Sequence, residues 1–134
     1  MYGSLDVTTS GLVAQRTRLD IISNNLLNRN TLLNAEGQYE PFRRQAAVFA
    51  VGDPSSGRAQ GVHVAQILRD DAPLQPRFEP DSPYADADGH VYYPNVDPIR
   101  EQTNALEALR AYEANITVAE ATKSMMSVAL QMLA

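Results

Sequence analysis

After Pro98 the chain carries no further glycine or proline up to Ala134. That stretch constrains the fold more than any other. Asp97 sits where an N-cap belongs, and Pro98 takes the first helical position, where its missing N–H breaks no bond. Apolar or small residues recur at Ile99, Thr103, Leu106, Leu109, Tyr112, Ile116, Ala119, Met126, Leu130 and Leu133. Steps of three, four and seven draw a stripe down one side of a helix. At about 1.5 Å per residue this helix is roughly 55 Å long, too long to bury itself in a small globule. Beyond Lys123, Ser124–Ala134 runs uncharged and holds Met125, Met126 and Met132. An apolar helix end of that kind requires a partner.

A second helix is expected over about Ser4–Leu27. Leu5, Leu12, Leu19 and Leu26 fall seven residues apart, with Ile22 between them, which is a short heptad seam. Gly11 weakens that helix by roughly 1 kcal/mol relative to alanine, and a small residue there suits close approach by another backbone. Up to Gln15 the only charge is Asp6. Both ends of the chain are therefore helical, apolar and weakly charged. The expected arrangement is an antiparallel pair that leaves apolar surface for neighbours. Asn24, Asn25, Asn28, Asn30 and Asn34 crowd the end of the first helix. Asparagine tolerates left-handed backbone and bonds its own chain, so a cap and a loop are expected there.

Between the helices the pattern turns to strands and turns. Ala47-Val48-Phe49, following Arg43-Arg44, reads as a strand. Gly52–Gly61 reads as a loop, and Val62–Arg69 as the strongest strand. Pro73, Pro76, Pro80 and Pro83 predict extended, weakly paired chain, with a short strand at Arg77-Phe78-Glu79. Asp86-Ala87-Asp88-Gly89 is a turn, and His90–Tyr93 a last short strand. The expected fold class is α+β. Residues 1–30 and 97–134 form a helical coiled-coil unit, and residues 31–96 a small β-rich insertion.

The search for reactive groups yields none. Cysteine is absent, which excludes disulfides, thiol catalysis and zinc–thiolate sites. His63 and His90 stand apart, each without a ligand-spaced His or Glu. Asp86 and Asp88 precede a glycine as in a calcium loop, but Tyr84 and Asn95 occupy positions where such a loop needs ligands. Asp70 and Asp71, adjacent on extended chain, face opposite sides. A net charge of −5 disfavours nucleic acid and anionic membrane surfaces. Arg43-Arg44 with Arg29 reads as a salt-bridging or inter-subunit feature. No run is long enough to span a bilayer. The N-terminus lacks the basic and apolar segments of a cleavable signal peptide, so leaving the cytoplasm would require another route. No cofactor, metal or small-molecule substrate is expected.

The motifs taken together resemble a known family. The run SGLVAQRTRLDIISNNLLNRNT (Ser10–Thr31) is similar to the signature of flagellar axial proteins, a helix ending in Asn-Asn followed by an Asn-x-Asn-Thr turn. Pro41-Phe42-Arg43-Arg44-Gln45, Gly61-Val62-His63-Val64 and Asp88-Gly89-His90-Val91-Tyr92-Tyr93-Pro94-Asn95-Val96 follow in the family's order. Arg110-Ala111-Tyr112-Glu113-Ala114-Asn115 and Lys123-Ser124-Met125 complete the set. Short length and this combination resemble the proximal-rod members of that rod and hook family. Leu26-Leu27 departs from the family's usual Ile-Ala and is expected to affect packing at that turn only.

The resemblance implies a structural subunit of the bacterial flagellar basal-body rod. Such a subunit is exported unfolded through the flagellar type III apparatus and assembles helically into a hollow drive shaft across the periplasm. Its implied partners are further copies of itself, other rod proteins, the adaptor between rod base and MS ring, and the export apparatus. Leu5, Leu12, Leu19, Ile22, Leu26, Leu106, Leu109, Ile116, Met126 and Leu130 are the candidate coiled-coil and assembly residues. Asn24, Asn25, Asn28, Asn30, Thr31, Pro94, Asn95, Tyr112 and Asn115 match the family's turns and helix motif. Helices that bury their stripes only on assembly are expected to be disordered at the ends in the free subunit. A cell-wall hydrolase would need paired acids in a cleft. A cytoplasmic coiled-coil adaptor or secretion chaperone would share the helices and the charge, but neither the Pro-rich insertion nor the motif order.

Overall fold

The structure, a computed structural model, describes residues 2–134, and of Tyr2 the backbone alone. Met1, the first residue of the expected helical unit, lies outside the described residues. The order of elements is α1 (Tyr2–Leu27), β1 (Gln45–Asp53), β2 (Arg58–Arg69), β3 (Gln75–Phe78), β4 (His90–Tyr93) and α2 (Pro98–Leu133). This is the α+β arrangement expected, two long terminal helices with a small β region between them. α2 starts where its cap chemistry places it. Asp97 is extended, and its carboxylate accepts from the Ile99 amide at 3.0 Å, with Pro98 next in the chain.

α1 is the middle layer. On one side it packs against α2 and on the other against the β1–β2 hairpin, whereas α2 packs against no described element but α1. The helices run antiparallel: Gly11 lies opposite Asn115, Arg18 pairs with Glu107 at 3.5 Å, and Asn25 meets Glu101. Along α1, Ala14, Ile21, Ile22 and Asn25 are buried. The hairpin is fastened to α1 by the Ser10 hydroxyl, which accepts from the Val62 amide at 3.1 Å. A Cβ on Gly61 would stand 2.9 Å from that Ser10 oxygen, and the Gly61 backbone has φ +94°, so glycine is required there on both counts.

The hairpin is longer than its glycines suggest. β1 and β2 pair antiparallel from Gln45↔Arg69 to Asp53↔Arg58, with irregularities after Val48 and after Val51. Only residues 54–57 form the turn, so Arg58–Gly61, expected in a loop, belongs to β2. Gly52 and Gly61, both at positive φ, lie in the irregularity after Val51, which kinks the ladder without ending it. Asp53 holds the turn together by accepting from the Ser55 amide and from the Ser55 and Ser56 hydroxyls.

β3 and β4 pair from Gln75↔Tyr93 to Phe78↔His90 and make a separate small lobe at the start of α2. The Tyr39 ring stacks on Tyr84 with centroids 5.2 Å apart, and its hydroxyl donates to the Tyr92 carbonyl and accepts from the Tyr92 amide. Asp86 forms the expected turn, and the His90 amide, with the Asp88 amide, holds its carboxyl below the usual carboxylate range. Both histidines are structural. His63 Nδ1 meets the Gly52 carbonyl at 2.8 Å, and His90 sits edge-on to Phe78. Val91, Pro94 and Val96, on and just after β4, are buried.

Candidate assembly surface and the joint that carries it

The seam between the two helices is made of small and polar side chains. The covered side of α2 carries Glu101, Ala105, Ala108, Ala111, Asn115, Ala119 and Thr122, all buried or half-buried. Facing them on α1 are Thr8, Gly11, Gln15, Arg18, Ile22 and Asn25. Alanine and glycine leave room for the Asn115 side chain between the helices. A Cβ on Gly11 would stand 2.9 Å from the Asn115 side-chain nitrogen, so the space beside this glycine is filled by the Asn115 side chain and not by another backbone. The Gln15 side-chain oxygen is buried in this seam without a hydrogen-bond partner.

Three elements converge at the end of α1. Glu101, in the first turns of α2, is 0% exposed. Its carboxylate pairs with the Arg44 guanidinium and lies 3.3 Å from the Asn25 side-chain nitrogen. Asn25 also donates to the Gln45 carbonyl at 2.8 Å and accepts from the Gln45 amide at 2.9 Å. Arg44 reaches Asp70 at 3.4 Å, and its backbone amide donates to Asn95. Asn95 in turn donates to the carbonyls of Asp70 and Ala72, both at 3.1 Å. Asn25 and Asn95 therefore bind neighbouring segments of their own chain, where a plain cap was the simpler expectation for Asn25. Asn28 does cap: its side chain donates to the Asn24 carbonyl, and Thr31 bonds to Asn28. Asn30 is exposed, Pro94 is buried and Tyr112 is half-buried. Leu27, the departure at the helix end, points outward at 80% exposure and disturbs no packing.

Sequence reasoning passed over Glu101. A glutamate in the first turn of a helix is ordinarily a solvated residue that complements the helix dipole. The usable signal was the arginine pair at the start of β1, which requires a carboxylate once it is buried.

The large aliphatic residues of the α2 stripe lie elsewhere, although its Ala119 is in the seam. Leu106, Leu109, Ile116 and Leu130 are 57%, 42%, 37% and 66% exposed, and Met126 is half-buried. Successive helix residues turn by about 100°. On that step Leu109 and Ile116 sit on one flank of α2, while Asn104, Asn115 and Val118 sit on the flank that lines grooves against the hairpin. The half-buried leucines Leu5, Leu12, Leu19 and Leu26 occupy the matching flank of α1. The two rows thus share the side of the helix pair turned away from the hairpin. Ile22 alone of the candidate set is fully inside the seam. At 36 residues α2 outruns the 26 of α1. Its last few turns present Met125, Val128, Leu130, Met132 and Leu133, all exposed.

Among the described residues no group of three or more His, Cys, Asp or Glu side chains is placed to hold a metal ion, and no helix is long and apolar enough to cross a membrane. The outer flank and the end of α2 are apolar surface left exposed among the described residues.

Residues 5–31, which cover α1 and its Asn turn, match the family described as Flagella basal body rod protein. Residues 87–132, which cover β4 and α2, match Flagellar basal body rod FlgEFG protein C-terminal. Both halves of the helical pair thus fall in the class of structural subunits of the flagellar basal-body rod. The flagellar basal-body rod protein FlgC of Borreliella burgdorferi is 39% identical, the alignment covering 99% of this chain and 97% of the relative. The Bacillus subtilis protein of that name is 36% identical over 97% and 96% of the two chains, and the Salmonella typhimurium one 42% over 90% and 89%. The chain belongs to the flagellar basal-body rod protein FlgC family.

Proposed function

We propose that this subunit assembles helically, with further copies and with other rod proteins, into the wall of the hollow drive shaft that crosses the periplasm. On this reading it transmits torque and lines the path of exported subunits, and it acts as a shaft component without catalysis. The observation that supports it is the inversion of the helix pair: small residues inside, large apolar ones outside. Residues 1–30 and 97–134 would form the inner layer, and residues 31–96 the outer one. The leucine flank and the end of α2 would meet adjacent subunits through head-to-tail contacts, which build an open helical tube when the rotation does not close. At the base of the shaft the same surfaces would meet the adaptor to the MS ring, and delivery would run through the flagellar type III export apparatus. The disorder expected at both ends of the free subunit would be greatest, on this geometry, in the last turns of α2, where α1 no longer covers them. An in-frame deletion tests the reading, with electron microscopy of purified basal bodies. Membrane rings without rod or hook are expected, and a motile strain with intact rods would overturn it.

A further inference from the structure

Glu101, Arg44 and Asn25 come from three different segments, and Glu101 joins the other two. Glu101 accepts from Arg44 with one carboxylate oxygen and lies within reach of Asn25 with the other. The Asn25 amide also completes both backbone groups of Gln45, at the root of β1. We propose that this cluster is a closure device. It makes the seating of α1, the docking of the hairpin root and the packing of the first turns of α2 one step, so that the hairpin registers whether α1 is in place. The inference stands on the geometry of the single chain and does not depend on how subunits assemble.

The physical case rests on what each partial state leaves behind. With α1 displaced, Gln45 loses the partners of its N–H and C=O, and Glu101 loses Asn25. With the hairpin root displaced, Glu101 is a carboxylate without its cation, which is far costlier than removing both charges together. With α2 displaced, Arg44 keeps only the half-exposed Asp70. No partial state retains two of the three contacts without an unpaired buried group. The other anchors of the hairpin, Ser10 to Val62 and Asp6 to Arg58, lie toward its tip and do not touch this cluster.

Hydrogen exchange on the full chain, read amide by amide, tests the device in wild type, Asn25→Ala, Arg44→Gln and Arg44→Gln/Glu101→Gln. Asn25→Ala should speed exchange at Gln45, in the last turn of α1 and over the first turns of α2 together, by tenfold or more, while ladder-bonded hairpin amides such as Val48 stay protected. Arg44→Gln alone should be worse than the double variant, because the double removes the unpaired carboxylate. Acceleration confined to the substituted segment would overturn the proposal, as would equal exchange in Arg44→Gln and the double. A wild-type chain whose Gln45 amide is protected while the end of α1 is open would overturn it too. If both Arg44 variants fail to fold, the Asn25→Ala pattern decides.

Discussion

The two sides of α2 invert the usual arrangement of an amphipathic helix. Its inner side meets α1 through Ala105, Ala108, Ala111, Asn115 and Ala119, with Glu101 and Thr122 toward the ends. Its outer sides carry Ile99, Leu106, Leu109, Ile116, Met125, Val128, Met132 and Leu133, all exposed. Small residues leave room in the seam but bring little apolar burial. The larger hydrophobic area stays available to partners, beyond the scattered apolar exposure normal for a soluble chain. The inner side is what α1 covers, and the outer side is the surface that the proposed assembly would use. Ile116→Asp strikes this difference hardest. The site is more than a third exposed, so the isolated subunit should lose about 1 kcal/mol or less and keep its helical circular dichroism. In a rod the charge would be repeated at every copy, and rods should fail to form in a complemented deletion strain. Normal rods from Ile116→Asp would mean that the leucine flank is not an assembly surface.

The opposite perturbation acts inside. Gly11→Leu forces a side chain into the space where a Cβ already meets Asn115 at 2.9 Å. Overpacking of this kind costs about 1–3 kcal/mol, read as a lower midpoint of helical signal on heating. Pairing Gly11→Ala with Asn115→Ala removes the clash and recovers roughly 0.5–1 kcal/mol of helix propensity. That double variant should therefore be at least as stable as wild type. If Gly11→Leu melts like wild type, the space beside Gly11 is not filled as the seam requires.

The helices and all four strands were legible, though not the full length of β1 and β2, because caps, prolines and periodicity act locally. Asp97-Pro98 announces α2 whatever it packs against, and Asp86-Ala87-Asp88-Gly89 turns by its own side-chain bonds. The inner side of α2 was not legible in the same way. A stripe drawn by hydrophobicity selects Leu106 and Leu109 over Ala105 and Ala108, because it measures transfer from water and not the room that the seam leaves. The residues joining α1, β1 and α2 were hidden for a related reason. Asn25 looks like a cap and Glu101 like a solvated first-turn acid until the fold brings them together beside Arg44. Gly52 and Gly61 read as loop residues, yet both serve a bulged ladder. Local chemistry does not distinguish a bulge from a turn without knowing that the partner strand continues.

A weaker effect is expected where α2 begins, because it acts on both of its sides alike. Asp97→Ala removes the acceptor of the Ile99 amide and should cost about 1 kcal/mol, or about 3–5 °C in melting midpoint for a chain of this size. Assembly should survive, since no outer residue changes. A variant that folds normally yet loses rods would show that the start of α2 contributes to contacts between subunits, and the division between inner and outer sides would need redrawing.

The smallest effect belongs to the hairpin turn, which lies on neither side of α2. The Asp53 carboxyl is held at about 2, below its ordinary 3.8, first by the Ser55 hydroxyl, then by the Ser56 hydroxyl and the Ser55 amide. Because the native value lies below the unfolded one, the turn is favoured fully above the unfolded value. That contribution fades as pH falls through the window between them. Asp53 is solvent-facing, so the consequence is local. A carboxyl-detected NMR titration should place its midpoint near 2, and Ser55→Ala/Ser56→Ala should return it toward the ordinary value. At neutral pH neither helix pairing nor rod formation should change in that double variant. A loss of rods there would show that the hairpin tip itself touches a neighbour, and the contact surface would then extend beyond the helices to the β insertion.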